Sequence, residues 1–99
     1  MVPKFEEYQE GIGAELLCPS CGNNNLHHGE VQVFECEEDA EHGVHVTVAD
    51  GKATMDTSLK GNPSARRHGM TIVFSCEHCK ATPALSIKQH KGITYIDFT

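Results

Sequence analysis

Four of the five cysteines stand in two Cys-x-x-Cys pairs, Cys18–Cys21 in "CPSC" and Cys76–Cys79 in "CEHC". A two-residue gap lets both sulfurs of a pair reach one ion from a single tight turn. Pro19 pre-sets the first turn, and Gly22, just after it, can take a positive φ. Backbone N–H groups in such a turn point at the sulfurs and offset their negative charge. Two such pairs supply the four thiolates that structural zinc prefers. In a reducing compartment this pattern favours metal over disulfide. The spacing therefore predicts one structural zinc held by Cys18, Cys21, Cys76 and Cys79. The alternative is four reduced cysteines without metal. A zinc closed by four cysteines has no free coordination position for water, so the expected metal is not catalytic.

"CPSCG" with a distant "CEHC" resembles the zinc-ribbon family. The likeness covers residues 15–26 and 70–98. It implies that each pair sits on a β-hairpin turn and that the two turns clamp one ion. The chain departs from the family in the middle, where 54 residues separate Cys21 from Cys76, against a usual ~15–20. The whole chain, through "LHHGEVQVF" and "NPSARRHG", is similar to small zinc-ribbon proteins of phages and mobile elements.

Cys36 ends the run "VQVFEC" and reads as a small buried apolar residue. Its neighbours Glu35, Glu37, Glu38 and Asp39 disfavour a thiolate. The chain has 7 histidines, with His42 and His45 at ligand-like spacing and His27 adjacent to His28. A second metal site would need several of them to converge, whereas imidazoles on the surface or on strand faces need nothing further. Nucleases of the HNH type also combine Cys pairs with a central His and Asn, here His27, His28 and Asn62. Their metal unit ends in a helix, while "TPALSIKQHKGITYIDF" reads as two strands. There is no phosphate-cradling Gly loop, no nucleophile elbow and no H-E-x-x-H. We expect no enzymatic activity.

The net charge of −6 hides an asymmetry. Residues 1–50 hold one Lys and eleven Asp or Glu, and residues 51–99 hold seven Lys or Arg against three acids. Either these charges segregate on the surface, or the halves interleave in one sheet and neutralise each other. Arg66, Arg67, Lys80, Lys88 and Lys91 form a candidate phosphate-contacting set. In the competing reading, Arg66 and Arg67 pair with acids such as Glu37, Glu38 and Asp39. The acidic stretch carrying Glu35, Glu37, Glu38, Asp39 and Glu41 is a candidate partner face, because clustered carboxylates can imitate a phosphate row. Otherwise it is a solvated turn.

The elements that position these groups are mostly strands. "VQVFEC" and "GVHVTVA" alternate, with Val44, Val46 and Val48 on one face, and the acidic turn joins them as a hairpin. "ADGK" is a tight-turn signal leading into "ATMDT". "LKGNPSARRHG" is a loop. In "MTIVFSC", Met70, Ile72 and Phe74 share a face, and "HKG" joins two closing strands. "KFEEYQE", residues 4–10, carries Phe5 and Tyr8 at helical spacing and predicts one or two helical turns.

The expected fold is one small mainly-β domain over residues 1–99: a zinc ribbon with knuckles near 16–23 and 74–81 and a β insert over about 30–73. No apolar run approaches the ~20 residues that cross a membrane. The acidic start "MVPKFEEYQE" has no apolar segment of a signal peptide, so a cytoplasmic location is expected. The expected function is a non-enzymatic, zinc-stapled module that binds a protein, as an adaptor or inhibitor of the phage or mobile-element type. The alternative is a nucleic-acid-binding ribbon that uses the basic second half.

Overall fold

The computed structural model describes residues 1–99 and contains eight strands and no helix. β1 (Phe5–Gln9) and β2 (Gly13–Leu16) form a small hairpin. The other strands form one six-stranded antiparallel sheet: β3 (Leu26–Glu35), β4 (Val44–Ala49), β5 (Lys52–Asp56), β6 (Gly69–Cys76), β7 (Ala84–His90) and β8 (Ile93–Phe98). Their spatial order is β5-β4-β3-β6-β7-β8. The small cysteine-bearing β domain expected from the sequence is therefore present. β3 and β6 pair along their length, from Leu26 opposite Cys76 to Phe34 opposite Gly69, so the strands beside the two Cys pairs share one sheet with those between them.

The turns follow from their residues. Asp50-Gly51 and Lys91-Gly92 each place two consecutive residues at positive φ (52° and 76°, 51° and 77°). This is the two-residue geometry whose twist matches antiparallel strands. The helix expected over residues 4–10 is instead β1. Phe5 pairs with Leu16 and Glu6 with Glu15, Leu17 N–H donates to Lys4 C=O at 3.0 Å, and Glu7 at φ 50° marks a bulge. A two-aromatic spacing of three suits a helix or a bulged strand. The distant partner "AELL" decides between them by satisfying the backbone.

Register divides the sheet into two unlike faces. One face carries two unbroken apolar rows. The first runs Ala53, Val48, Val31, Ile72, Leu85, Phe98, and the second runs Met55, Val46, Val33, Met70, Ile87, Ile96. The opposite face carries Thr54, Thr47, Gln32, Thr71, Ser86 and Asp97 in one row. On that polar face the loop over 57–68 packs across the sheet. Phe34 is 1% exposed beneath it and stacks on His45, with centroids 4.3 Å apart and planes within 9°. A Cβ at Gly69 would collide with Asn62 Oδ1 and the Pro63 ring, so glycine is what lets the loop approach the sheet there. Ser64, buried, donates to Gln89 C=O at 2.8 Å and pins the loop to β7.

A second small core lies at the knuckle end. There Leu85 and Phe98 are buried, and Phe74 meets Phe98 edge-on at 6.3 Å. Met1 runs beside Phe98, whose N–H donates to Met1 C=O at 2.9 Å.

Candidate metal centre

The two knuckles are built alike. In the first, Gly22 N–H donates to Cys18 C=O at 2.9 Å, and in the second, Lys80 N–H donates to Cys76 C=O at 3.2 Å. The residue after each second cysteine takes a positive φ, 79° at Gly22 and 63° at Lys80. Glycine does this freely, and Lys80 does it against its Cβ because the turn demands it. The knuckles are tied to each other by Glu77 N–H to Asn25 C=O at 3.2 Å. Pairing of β3 with β6, with Leu26 opposite Cys76, supplies the alignment.

Two pairs of sulfurs, 55 or more positions apart in sequence, thereby converge. Cys18 Sγ lies 3.7 Å from Cys79 Sγ, and Cys21 Sγ lies 3.6 Å from Cys76 Sγ. All four lie within 4.8 Å of one another. A tetrahedral ion with ~2.3 Å bonds to sulfur requires sulfur–sulfur edges of about 3.8 Å. The cluster can hold a metal ion with little adjustment. Cys18 and Cys76 are buried, while Cys21 and Cys79 face solvent.

The electrostatics fit the same use. Burial pushes the Cys18 thiol up, but N–H groups of Cys21 and Ser20 and the sulfurs of Cys79 and Cys76 outweigh it and bring it down to about 7. The Cys76 thiol is lowered chiefly by the Cys79 N–H, against burial. Cys21 receives the Asn23 N–H, yet burial and the three neighbouring sulfurs push it up to about 12. Cys79 is likewise raised, with the Ala81 N–H overcome by burial and by Cys76 and Cys18. The backbone favours thiolates here, and once two sulfurs ionise their charge opposes the other two. A cation at the centre removes that conflict.

The remaining candidates are distributed as follows. Cys36 is buried, with Sγ 3.1 Å from Glu37 C=O, and it lies outside the metal cluster. His45 is taken up by Phe34, by Asp56 at 3.0 Å and by Gln32 at 2.8 Å, and His27 lies 2.5 Å from Glu77. Only the four cysteines of the two pairs form a metal-ligand cluster.

The basic residues divide. Arg66 grips Asp39 with two hydrogen bonds, Nε to Oδ1 at 2.5 Å and Nη2 to Oδ2 at 2.6 Å, and reaches Glu38 at 3.5 Å. Arg67 lies 3.9 Å from Glu38. The sequence grouped Arg66, Arg67, Lys80, Lys88 and Lys91 as one candidate set, which requires the second knuckle and the basic loop to lie together. Instead Lys88 and Lys91 lie toward the β7–β8 turn, with Arg66 and Arg67, while Lys80 sits at the knuckle end. The length of β6 separates the groups by roughly 20 Å. Hairpin geometry forces this, because β7 leaves the knuckle and turns only at its far end. Of the acidic stretch, Glu35, Glu37, Glu38, Asp39 and Glu41 are all exposed, and only Glu38 and Asp39 have ion-pair partners.

What sequence reasoning missed is which strand lies outermost. β5 closes one side of the sheet with all five residues exposed and a partner only in β4. Its hairpin was legible, but its place at the edge depends on strand order.

No family model matches this chain, and no curated protein or solved structure matches it at significant similarity. No helix is long and apolar enough to cross a membrane.

Proposed function

We propose that this chain is a non-enzymatic binding module of zinc-ribbon type, stapled by one structural zinc, and that its partner is a protein engaged along the β5 edge. The observation that carries the reading is that edge. Five exposed residues present unpaired N–H and C=O groups on their outer side, the template on which a partner strand adds. The unpaired carboxylates Glu35, Glu37 and Glu41 flank the same end of the insert, because Gly43 N–H donates to Thr57 C=O beyond β5. They would steer a basic partner segment. The zinc clamps the knuckles and keeps the sheet in register at its other end. Four thiolates and ~3.8 Å edges suit zinc, and native mass spectrometry should find about one zinc per chain.

A second reading, nucleic-acid binding, has one observation of its own: Arg67, Lys88, His90 and Lys91 line neighbouring clefts at the far end. Against it, Arg66 spends its guanidinium on Asp39, and Glu38 and Asp39 bring negative charge into the patch. Tyr95 is the ring at hand for base stacking, and it sits beside His90.

Fluorescence anisotropy of labelled duplex and single-stranded oligonucleotides against the zinc-loaded protein, over a salt series, separates the two. We expect no binding even at low salt, where phosphate contacts are strongest. Binding that weakens steeply with salt, and is lost in Arg67→Ala with Lys88→Ala and Lys91→Ala, overturns the protein-partner reading.

A further inference from the structure

The apolar face of the six-stranded sheet has no second layer. Domains are built from packed layers because a sheet must bury its hydrophobic face against something. Here the 57–68 loop packs on the polar face instead, over Phe34. On the apolar face the two six-residue rows are closed over only at the Leu85 and Phe98 corner. Val33, at the centre of the sheet, is 38% exposed; Val48 is 46%, Met55 is 74% and Ile96 is 46% exposed. No polar or charged residue interrupts either row.

We propose that this face is the interface of a homodimer, with two copies packed sheet on sheet. Three features select a second copy. First, neither apolar row carries a charge, and the charged side chain of this face, Glu35, stands opposite Val44 in the next row at the end of β3, so two copies meet along the rows without like-charge contact. Second, two identical sheets share one twist, and aligned sheets of equal twist pack face to face at about 30° with interdigitated side chains. Third, the extent suffices. The exposed parts of these side chains amount to on the order of 600 Å² per copy, so mutual burial of about 1,200 Å² reaches the lower end of specific stable interfaces. A two-fold axis along the strands sets the two most protruding rims, Met55 at β5 and Ile96 at β8, over each other across the interface, as isologous contacts require. Packing through the face leaves the outer side of β5 open, so this interface uses a different surface from the one under Proposed function.

The test is sedimentation equilibrium of the full zinc-loaded chain over a concentration and salt series. A dimer with a micromolar or tighter dissociation constant is expected. It should hold or strengthen as salt rises, because burial is apolar and each copy carries a net charge of −6. Met55→Lys and Ile96→Lys, both at exposed positions that leave the monomer folded, should each weaken it by roughly tenfold or more, since the ammonium must be desolvated. Thr54→Lys, on the opposite face of β5, should leave it unchanged. Retained zinc and an unchanged circular dichroism spectrum verify that each variant is folded. A monomer at all concentrations overturns the proposal. So does a dimer that dissociates as salt rises, or one that ignores Met55→Lys and Ile96→Lys. A monomeric protein would leave the β5-edge reading standing, and oligonucleotide binding would leave the dimer standing, so the two failures are distinct.

Discussion

The two ends of the sheet are held by different physics. At the knuckle end, two short turns present four sulfurs within 4.8 Å of one another, and the backbone aims its N–H groups at them. At the far end, a long loop lies over Phe34 and is held by single hydrogen bonds, Ser64 to Gln89 C=O and Cys36 N–H to His68 Nδ1, and by the exposed Arg66–Asp39 pair. The first arrangement is a cysteine cluster that a single bound ion can cross-link. The second is packing plus weak polar contacts, spread over many residues. The contrast teaches where the molecule should break. Loss of one ligand should be felt by the whole fold, whereas damage at the far end should be graded by how much buried surface is touched.

Metal removal is the sharpest probe of that contrast. Chelation, or Cys76→Ser, should abolish cooperative thermal unfolding, because in such sites the metal's binding energy is folding energy. A chelated protein that keeps its cooperative transition would make the two ends equivalent and refute the clamp. At the far end, Phe34→Ala removes the largest fully buried side chain. It should cost about 3 to 5 kcal/mol in denaturant unfolding without altering zinc stoichiometry. Gly69→Val forces a Cβ into Asn62 and Pro63 and should cost about 1 to 3 kcal/mol by prying the loop from the sheet. Amide exchange should rise over 57–68 and stay low at the knuckles.

The smallest effect is expected from Asp39→Asn. Arg66 beside Asp39 holds its carboxyl below the usual carboxylate range. A depressed folded pKa stabilises above the unfolded value and loses that contribution as pH falls through the folded one. Wild type should therefore exceed Asp39→Asn slightly near neutrality, and the two should converge in acid. The exposed pair should also fade with salt. A gap that persists at low pH would show that Asp39 acts through its backbone turn, at φ 60°, and not through its charge.

The four-cysteine cluster was legible because its signal is local. Cys-x-x-Cys spacing, Pro19 and Gly22 specify the first turn wherever it lies, and "CEHC" repeats the logic. The hairpins were legible for the same reason, since Asp50-Gly51 and Lys91-Gly92 encode tight turns and alternation encodes strands. Residues 4–10, polar and aromatic, were misread because the strand character of β1 within them depends on Leu16 and Glu15, which no local pattern announces. The fate of the charges was equally hidden. Arg66 and Asp39 are 27 positions apart. Whether they meet, or Lys88 and Lys91 reach the knuckle, follows from the order β3-β6-β7-β8.

By itself, then, the sequence determined the two Cys-x-x-Cys turns that cluster, the strands from Val31 onward and the tight turns between them, because each is set by side chains within a few positions. Only the tertiary structure decided which strand lies at the edge, that Arg66 is spent on Asp39, and that two apolar rows line up across six strands. The physical reason is that strand pairing is a non-local choice. A one-residue change of register would exchange the faces, and a different strand order would bury β5 and open another edge.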